Sequence, residues 1–178
     1  MFRNEPPVVG FAAYSGTGKT TLLVSLLHLF TEQGLRVGIV KHAHHTFEID
    51  YRGKDSYELR HAGASQVLVG SRQRWALMVE TPQPPQDALA FYLNQLDRST
   101  LDLVLVEGFK PESIPKIELH RPSLGKPLLY PEDTDIIAVA SDLPLAKTPR
   151  IPVLDLNAPA TIADFIIDRF KPVRQTDR

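Results

Sequence analysis

Eight consecutive residues near the N-terminus, 13–20, have the sequence AYSGTGKT. Glycines in such a run let backbone N–H groups approach an anion, and a helix that follows points its N-terminus at the negative charge. Lys19 is expected to contact the terminal phosphates of a nucleoside triphosphate, and the Thr20 hydroxyl is expected to coordinate Mg²⁺. The predicted phosphate-binding residues are Ser15, Gly16, Thr17, Gly18, Lys19, Thr20 and Thr21.

Position 13 of this loop holds alanine where such loops usually have their first glycine. Alanine fits if the backbone keeps a negative φ, because only positive φ angles strongly favour glycine. The alternative is a glycine-rich turn without a ligand. The Lys19-Thr20 pair, set between an apolar run and a helical pattern, favours phosphate binding.

A carboxylate for the metal is expected at the end of a neighbouring strand, because Mg²⁺ prefers carboxylate, water and phosphate oxygens. Glu107 directly follows the apolar run 103–106, and Gly108 beside it would let the backbone approach the terminal phosphate. The alternative for Glu107 is a solvated residue at a strand end. Asp102 begins the same strand, too far away to share the metal.

Two further aspartates, Asp50 and Asp55, follow the second predicted strand, and either is a candidate for the metal or the attacking water. Asp55 has the better position because a helix begins there. Aspartate is also a preferred N-cap, so a purely structural role is the alternative. The predicted metal ligands are Thr20, Asp55 and Glu107, and the predicted catalytic residues are Lys19, Asp55 and Glu107.

The elements that position these residues follow from the hydrophobic pattern. An apolar run over 8–13, a helical pattern from Thr20 to Phe30 and an apolar run over 35–41 predict a right-handed, parallel βαβ unit. Runs over 65–69 and 75–80, separated by GSRQR, predict an antiparallel hairpin at an edge of the sheet. Further strands are predicted over 101–106, 117–119, 136–140 and 151–154, with helices from Asp55, within 88–96 and over 162–170.

These elements predict an α/β chain with the three-layer P-loop NTPase fold, a mostly parallel sheet and an antiparallel hairpin at one edge. The length of 178 residues predicts a single domain over 1–172, followed by a frayed C-terminal tail over 173–178.

Composition narrows the expected partners. Twenty Lys and Arg residues against 21 Asp and Glu give no basic field, so no nucleic acid partner is expected. The chain has no cysteine, which favours a reducing compartment, and the cytoplasm is the expected location. No apolar run reaches roughly 18 residues, so no membrane association is expected.

Three histidines, His42, His44 and His45, follow the second predicted strand on one loop. Imidazoles bind borderline metals or polar rings of the pterin kind. Structural zinc normally has four ligands, so ligand contact or simple solvation is favoured over a structural metal.

Several blocks of the sequence carry a resemblance to a known family. The chain resembles the MobB-type adapters of molybdopterin-guanine dinucleotide biosynthesis, which bind GTP. The matching blocks are GFAAYSGTGKTTLL (10–23), VKHAHH (40–45), GKDSYELR (53–60), RWALM (74–78), LVLVEGFK (103–110) and IAVASD (137–142).

The resemblance implies a GTP-binding adapter with weak Mg²⁺-dependent GTPase activity, acting as a homodimer in molybdenum cofactor biosynthesis. It implies a guanylyltransferase or another cofactor-synthesis protein as partner, and molybdopterin as a further ligand. The wider class also favours Asp55 over Asp50. Asp142 lies where related GTPases bind guanine, although the usual preceding Asn-Lys is missing. The alternative is a P-loop phosphotransferase or ligase of the dethiobiotin-synthetase type, which uses the same magnesium site.

Overall fold

The computed structural model describes residues 5–43, 47–83, 85–147 and 149–172. The chain divides into two compact units: the first joins the segment up to His42 to the segment from Leu89 onward, and the second spans 43–88. The single domain over 1–172 stays a prediction. The predicted tail 173–178 lies outside the described residues.

Eight strands and four helices are present in the described part of the chain. The strands are β1 (Val8–Ala13), β2 (Val37–Lys41), β3 (Gln66–Gly70), β4 (Trp75–Val79), β5 (Leu103–Glu107), β6 (Lys116–His120), β7 (Ile136–Ser141) and β8 (Val153–Asp155). The helices are α1 (Lys19–Glu32), α2 (Asp55–His61), α3 (Ala88–Leu93) and α4 (Pro159–Phe170).

Six strands of the first unit form one sheet in the order β2-β5-β1-β6-β7-β8. Every described pair in this sheet is parallel. Strand β1 lies between β5 and β6, with Phe11 opposite Glu107 and Ala13 opposite Leu119. The carboxyl ends of the central strands therefore meet at one edge of the sheet, where the loop over 13–20 begins.

Helices α1 and α4 pack together against the sheet. The apolar side chains of α1 recur at three- and four-residue intervals, so they lie on one face of the helix and are buried. Burial of a large aliphatic or aromatic side chain contributes about 1.5–3 kcal/mol. The shared core contains Leu22, Leu26 and Phe30 of α1, Ile162 and Ile166 of α4, and Val9, Phe11, Leu103, Leu105 and Ile117 of the strands.

The second unit contains α2 and the hairpin of β3 and β4. The hairpin is antiparallel, from Gln66 opposite Val79 to Gly70 opposite Trp75, and Ser71 N donates to Arg74 O at 2.8 Å across its turn. The α/β fold class and the hairpin are confirmed. The hairpin forms a two-stranded sheet of its own, because residues 43–88 fold as a separate compact unit and its strands pair with each other.

Helix α2 begins at Asp55, as predicted, and its N-cap is Lys54. Glu58 Oε1 accepts a hydrogen bond from Gly53 N, one residue before the N-cap, at 3.2 Å. Lys54 makes no side-chain cap. Asp55 therefore lies in the first turn rather than at the N-cap, and its carboxylate is placed favourably for the helix dipole.

None of the helices that the structure describes has both the length and the apolar composition needed to cross a membrane.

Candidate phosphate-binding site

The loop between β1 and α1 has the backbone of an anion-binding loop. Gly16 has φ 83° and Gly18 has φ 89°, in the left-handed region that favours glycine. Gly18 is the N-cap of α1, and the first helical hydrogen bond runs from Leu22 N to Gly18 O at 3.0 Å. The N–H groups of the first turn of α1 have no helical acceptor and are available to an anion.

A cavity of about 310 Å³ lies over this loop. This volume is at the lower end of the range for small-molecule sites. Its lining comprises Tyr14, Ser15, Gly16, Thr17, Gly18, Lys19, Thr20, Thr21 and Glu107. The structure thus brings all seven predicted phosphate-binding residues together with Glu107, the acidic residue of the lining.

Glu107 lies at the end of β5 with its side chain 13% exposed. Its Oε1 is 3.8 Å from Lys19 Nζ, and its Oε2 is 3.7 Å from Lys41 Nζ. Two ammonium groups therefore flank one carboxylate beside the loop. The site presents a hydroxyl and a carboxylate, which are hard oxygen ligands that suit Mg²⁺, and cations that suit phosphate.

Gly108 follows Glu107 with φ 92°. A Cβ at this position would lie 3.0 Å from the His42 carbonyl oxygen and 3.1 Å from the His42 Cβ, because the chain leaving β2 passes close by. Conformation and close packing thus both require glycine. The predicted approach of Gly108 to a phosphate stays a prediction.

Lys110 is a further cation at this end of the sheet that the sequence reasoning missed. Its Nζ lies 4.6 Å from the centroid of the Tyr14 ring, a cation–π contact with the loop. Burial lowers the pKa of Lys110, and the positive charge of Lys19 lowers it further. Lys110 falls in the LVLVEGFK block, which was the available signal, but spacing alone did not place its side chain at the loop.

Asp142 directly follows β7, and Arg121 directly follows β6. Arg121 Nη1 donates to Asp142 Oδ2 at 2.5 Å, while Arg121 Nε donates to Thr17 O at 2.8 Å. Asp142 Oδ1 is buried and has no hydrogen-bond partner among the described residues. Sequence reasoning missed Arg121 because nothing in its local pattern marks it. The guanine contact of Asp142 stays a prediction.

The aspartates after β2 belong to the second unit. Asp50 Oδ1 accepts a hydrogen bond from Arg60 Nη2 at 2.8 Å, and Glu48 and Glu80 also bind Arg60. The hydrogen bond from Arg60 lowers the pKa of Asp50. Asp50 is thus committed to a local ion-pair cluster. Asp55 is exposed in the first turn of α2, and its metal role stays a prediction.

Asp102 has a structural role at the opposite end of β5. Its Oδ2 accepts a hydrogen bond from Arg36 N at 2.7 Å, just before β2 begins. The side chain is almost fully buried. Asp102 therefore ties β2 to β5 away from the loop, which agrees with its omission from the predicted site.

The predicted histidine cluster is only partly described. His42 N donates to Glu107 O at 2.9 Å, and the His42 ring lies 5.2 Å from the Phe109 ring. His44 and His45 lie outside the described residues. Over 5–43, 47–83, 85–147 and 149–172, no three His, Asp or Glu side chains gather as a metal site.

Comparison with known proteins identifies the family. The family model described as MobB, molybdopterin guanine dinucleotide synthesis protein B, matches residues 8–142. The chain is 50% identical to a molybdopterin-guanine dinucleotide biosynthesis adapter protein of Escherichia coli (strain K12), over 91% of this chain and 92% of that protein. It is 47% identical to the adapter protein of the same name from Haemophilus influenzae, over 93% of this chain and 90% of that one.

A solved structure also resembles this fold over nearly its whole length. The crystal structure of a MobB protein homolog from Bacillus stearothermophilus matches with a TM-score of 0.66 and 27% identity, covering 92% of this chain and 97% of that one. The family match spans the loop over 13–20, Glu107 and Asp142. The chain belongs to the MobB family.

Proposed function

We propose that this chain is a GTP-binding adapter of molybdopterin-guanine dinucleotide biosynthesis. The observation that carries the proposal is the cavity that residues 14–21 and Glu107 line, in a chain that is 50% identical to a curated adapter of that pathway. We place this activity in the cytoplasm.

The loop residues have distinct roles in this proposal. Backbone N–H groups over 15–21 bind the phosphates, and the positive φ angles of Gly16 and Gly18 shape the loop that presents them. Lys19 binds the terminal phosphates as a point charge. Binding of Lys19 to phosphate would replace its 3.8 Å contact with Glu107.

The oxygen ligands at the site fit Mg²⁺. Thr20 and Glu107 both line the cavity, and we propose them as metal ligands. The position of Asp55 in the sequence carries the further proposal that it is a metal ligand. Bound Mg²⁺ supplies charge neutralisation for the phosphates. Lys19, Asp55 and Glu107 are the residues to which we assign the weak hydrolytic activity.

The guanine contact is assigned to Asp142. The β6–β7 register sets His120 opposite Ser141, so Arg121 and Asp142 leave the sheet at the same edge as the loop. A carboxylate accepts from guanine N1–H and the 2-amino group. The test is Asp142→Asn, which is expected to weaken GTP and to favour xanthosine triphosphate, because an amide donates to the xanthine 2-carbonyl; unchanged base preference would remove Asp142 from the base site.

The hairpin supports a homodimer. Along one of its faces, the alternating residues Leu68, Trp75, Leu77 and Val79 are 65%, 70%, 44% and 45% exposed. Four large apolar side chains on one hairpin face form a patch of the kind that another protein surface covers. We propose that a second copy of the chain covers it. A guanylyltransferase or another cofactor-synthesis protein is the proposed heterologous partner, with molybdopterin as a further ligand.

The proposal is tested by calorimetric titration with MgGTP and MgATP, followed by pull-down of a molybdenum cofactor guanylyltransferase in the presence of each nucleotide. Tighter binding of GTP and GTP-dependent capture are expected. Lys19→Ala is expected to bind GTP about 10- to 100-fold more weakly, because it removes a charged hydrogen-bond donor. Lys126→Ala, on an exposed turn, is the matched control.

Rapid turnover only with a small co-substrate would instead indicate a phosphotransferase. Equal affinity for GTP and ATP would contradict the guanine assignment. A wild-type protein that binds neither nucleotide would contradict the proposal as a whole.

A further inference from the structure

Arg121 joins two segments that are far apart in sequence. Its Nε donates to Thr17 O in the phosphate-binding loop at 2.8 Å, across 104 residues of sequence. Its Nη1 donates to Asp142 Oδ2 at 2.5 Å. The guanidinium also approaches the next loop residue, since a Cβ built on Gly18 would lie 3.5 Å from Arg121 Nη2.

The hydrogen bond from Arg121 to the Thr17 carbonyl also fixes the direction of the next N–H group, that of Gly18. The peptide between Thr17 and Gly18 is trans and planar, so its C=O and its N–H point in opposite directions. Arg121 holds the C=O on its own side of the loop. The Gly18 N–H is therefore held pointing away from Arg121.

A second peptide of the loop is fixed in a similar way. Thr17 is only 3% exposed, and its hydroxyl donates to Tyr14 O at 2.9 Å. This bond directs the Ser15 N–H away from the Thr17 hydroxyl by the same planarity. Thr17 therefore orders two of the amides that line the cavity, one through its side chain and one through its carbonyl.

Asp142 in turn orients Arg121. The Asp142 side chain is 15% exposed and that of Arg121 is 32% exposed, so this ion pair is shielded more than a pair on the open surface. The planar guanidinium has donors in a fixed fork, which lets Arg121 bind Thr17 and Asp142 at the same time. Lysine has one point of attachment and lacks this geometry.

We propose that Arg121 is a positioning residue which, held by Asp142, sets the amides of the phosphate-binding loop for a triphosphate. Its contacts are to protein groups, so it acts through the loop rather than on the nucleotide. The effect of Arg121 on affinity rests on the proposed function, whereas its effect on loop order does not.

The test uses the full-length chain and two readouts. Arg121→Met is expected to weaken MgGTP binding about 10- to 100-fold, the scale of a lost charged hydrogen bond. Without nucleotide, it is expected to raise amide hydrogen exchange over residues 14–20. Arg121→Lys is expected to lose affinity to the same extent. Arg169→Met, on the exposed last turn of α4, is the control.

A double-mutant cycle tests the role of Asp142. Asp142→Asn is expected to raise amide exchange over 14–20, and adding it to Arg121→Met is expected to cause no further rise, because both changes release the same contact. Exchange is the readout because Asp142 is also the proposed guanine contact, so its GTP affinity reports on both roles. A thermal melt of each variant separates these effects from unfolding. A melting midpoint equal to that of wild type shows that the variant is folded. If the melting midpoint of Arg121→Met is lowered, Arg121→Lys is compared with wild type in its place, because lysine keeps the alkyl packing.

Three results would overturn the inference: unchanged exchange over 14–20 in Arg121→Met, full recovery of GTP affinity by Arg121→Lys, or additive rises in that exchange in the double variant. A wild-type chain that binds no triphosphate refutes the proposed function instead. In that case the exchange measurement still decides whether Arg121 orders the loop.

Discussion

Glu107 Oε1 lies 3.8 Å from Lys19 Nζ, so the proposed metal ligand and the proposed phosphate contact form an ion pair with each other. Lys41 holds the other carboxylate oxygen at 3.7 Å. A triphosphate and Mg²⁺ would separate these charges, with phosphate binding the lysines and the metal binding the carboxylate. Glu107 is therefore expected to support nucleotide binding when the metal is present and not when it is removed.

Glu107→Gln is expected to weaken GTP binding in Mg²⁺ and to leave it unchanged or stronger in EDTA, because Lys19 and Lys41 lose a competing carboxylate. The change in Mg²⁺ is expected to be about tenfold, or roughly 1.4 kcal/mol. Calorimetry under both conditions measures it, with Glu132→Gln on an exposed loop as control. An equal loss of affinity under both conditions would count against Glu107 as a metal ligand.

Local sequence was sufficient to predict the loop and its flanking elements. The binding groups of the loop over 13–20 are adjacent in the sequence, and Glu107 was predicted because an apolar strand ends there. Arg121 was missed because its partners, Thr17 and Asp142, meet it only through the order β1-β6-β7 in the sheet. That order depends on tertiary packing rather than on any local pattern.

The same distinction explains two smaller differences. Gly108 has a local signature, its position after Glu107, but its packing against His42 depends on how β2 lies beside β5. Spacing predicted the hairpin correctly, since alternation and the turn are local. Its pairing as a separate sheet was not predictable, because a strand pattern does not identify its neighbour.

Asp50 is expected to make the second unit sensitive to acid. Arg60 lowers the pKa of Asp50 in the folded chain, so the contribution of Asp50 to stability is present above its ordinary value of 3.8 and is lost as pH falls through the lower, folded value. Amide exchange over 47–62 is expected to rise in that acidic range.

Asp50→Asn is expected to raise that exchange already at pH 7 and to remove its dependence on acid. Asp168→Asn, an exposed aspartate on α4 of the first unit, is the matched control. The same exchange in both variants at pH 7 would contradict the assignment of Asp50 to the Arg60 cluster.

Glu118 is fully buried on β6, and its two oxygens accept hydrogen bonds from Leu129 N at 2.7 Å and Tyr130 N at 2.9 Å. Burial raises the pKa of Glu118. The folded chain thus binds this proton more tightly than the unfolded chain, so the contribution of Glu118 to stability falls as pH rises from its ordinary value of 4.5 through the raised, folded value.

Glu118→Gln is expected to lower the free energy of unfolding by about 1–3 kcal/mol, because glutamine has one acceptor oxygen for two buried N–H groups. Urea unfolding at pH 4.5 and pH 7.5 measures this loss and the reduced dependence on pH. Glu112→Gln, outside the strands, is the control. Stability equal to that of wild type at both pH values would show that the hydrogen bonds from Leu129 N and Tyr130 N to Glu118 do not stabilise the fold.

Trp75 provides a direct probe of the proposed dimer, because it is the chain's single tryptophan and its side chain is exposed in the isolated protomer. A second copy packed on the hairpin would bury the Trp75 indole. Dilution is therefore expected to shift the tryptophan fluorescence to the red as the dimer dissociates. Leu77→Asp places a charge on the same hairpin face and is expected to give a red-shifted, monomeric chain by light scattering. Leu124→Asp, on an exposed turn of the first unit, is expected to behave as wild type. A concentration-independent monomer with unchanged emission would remove the hairpin as the dimer interface and leave its apolar face to a different protein.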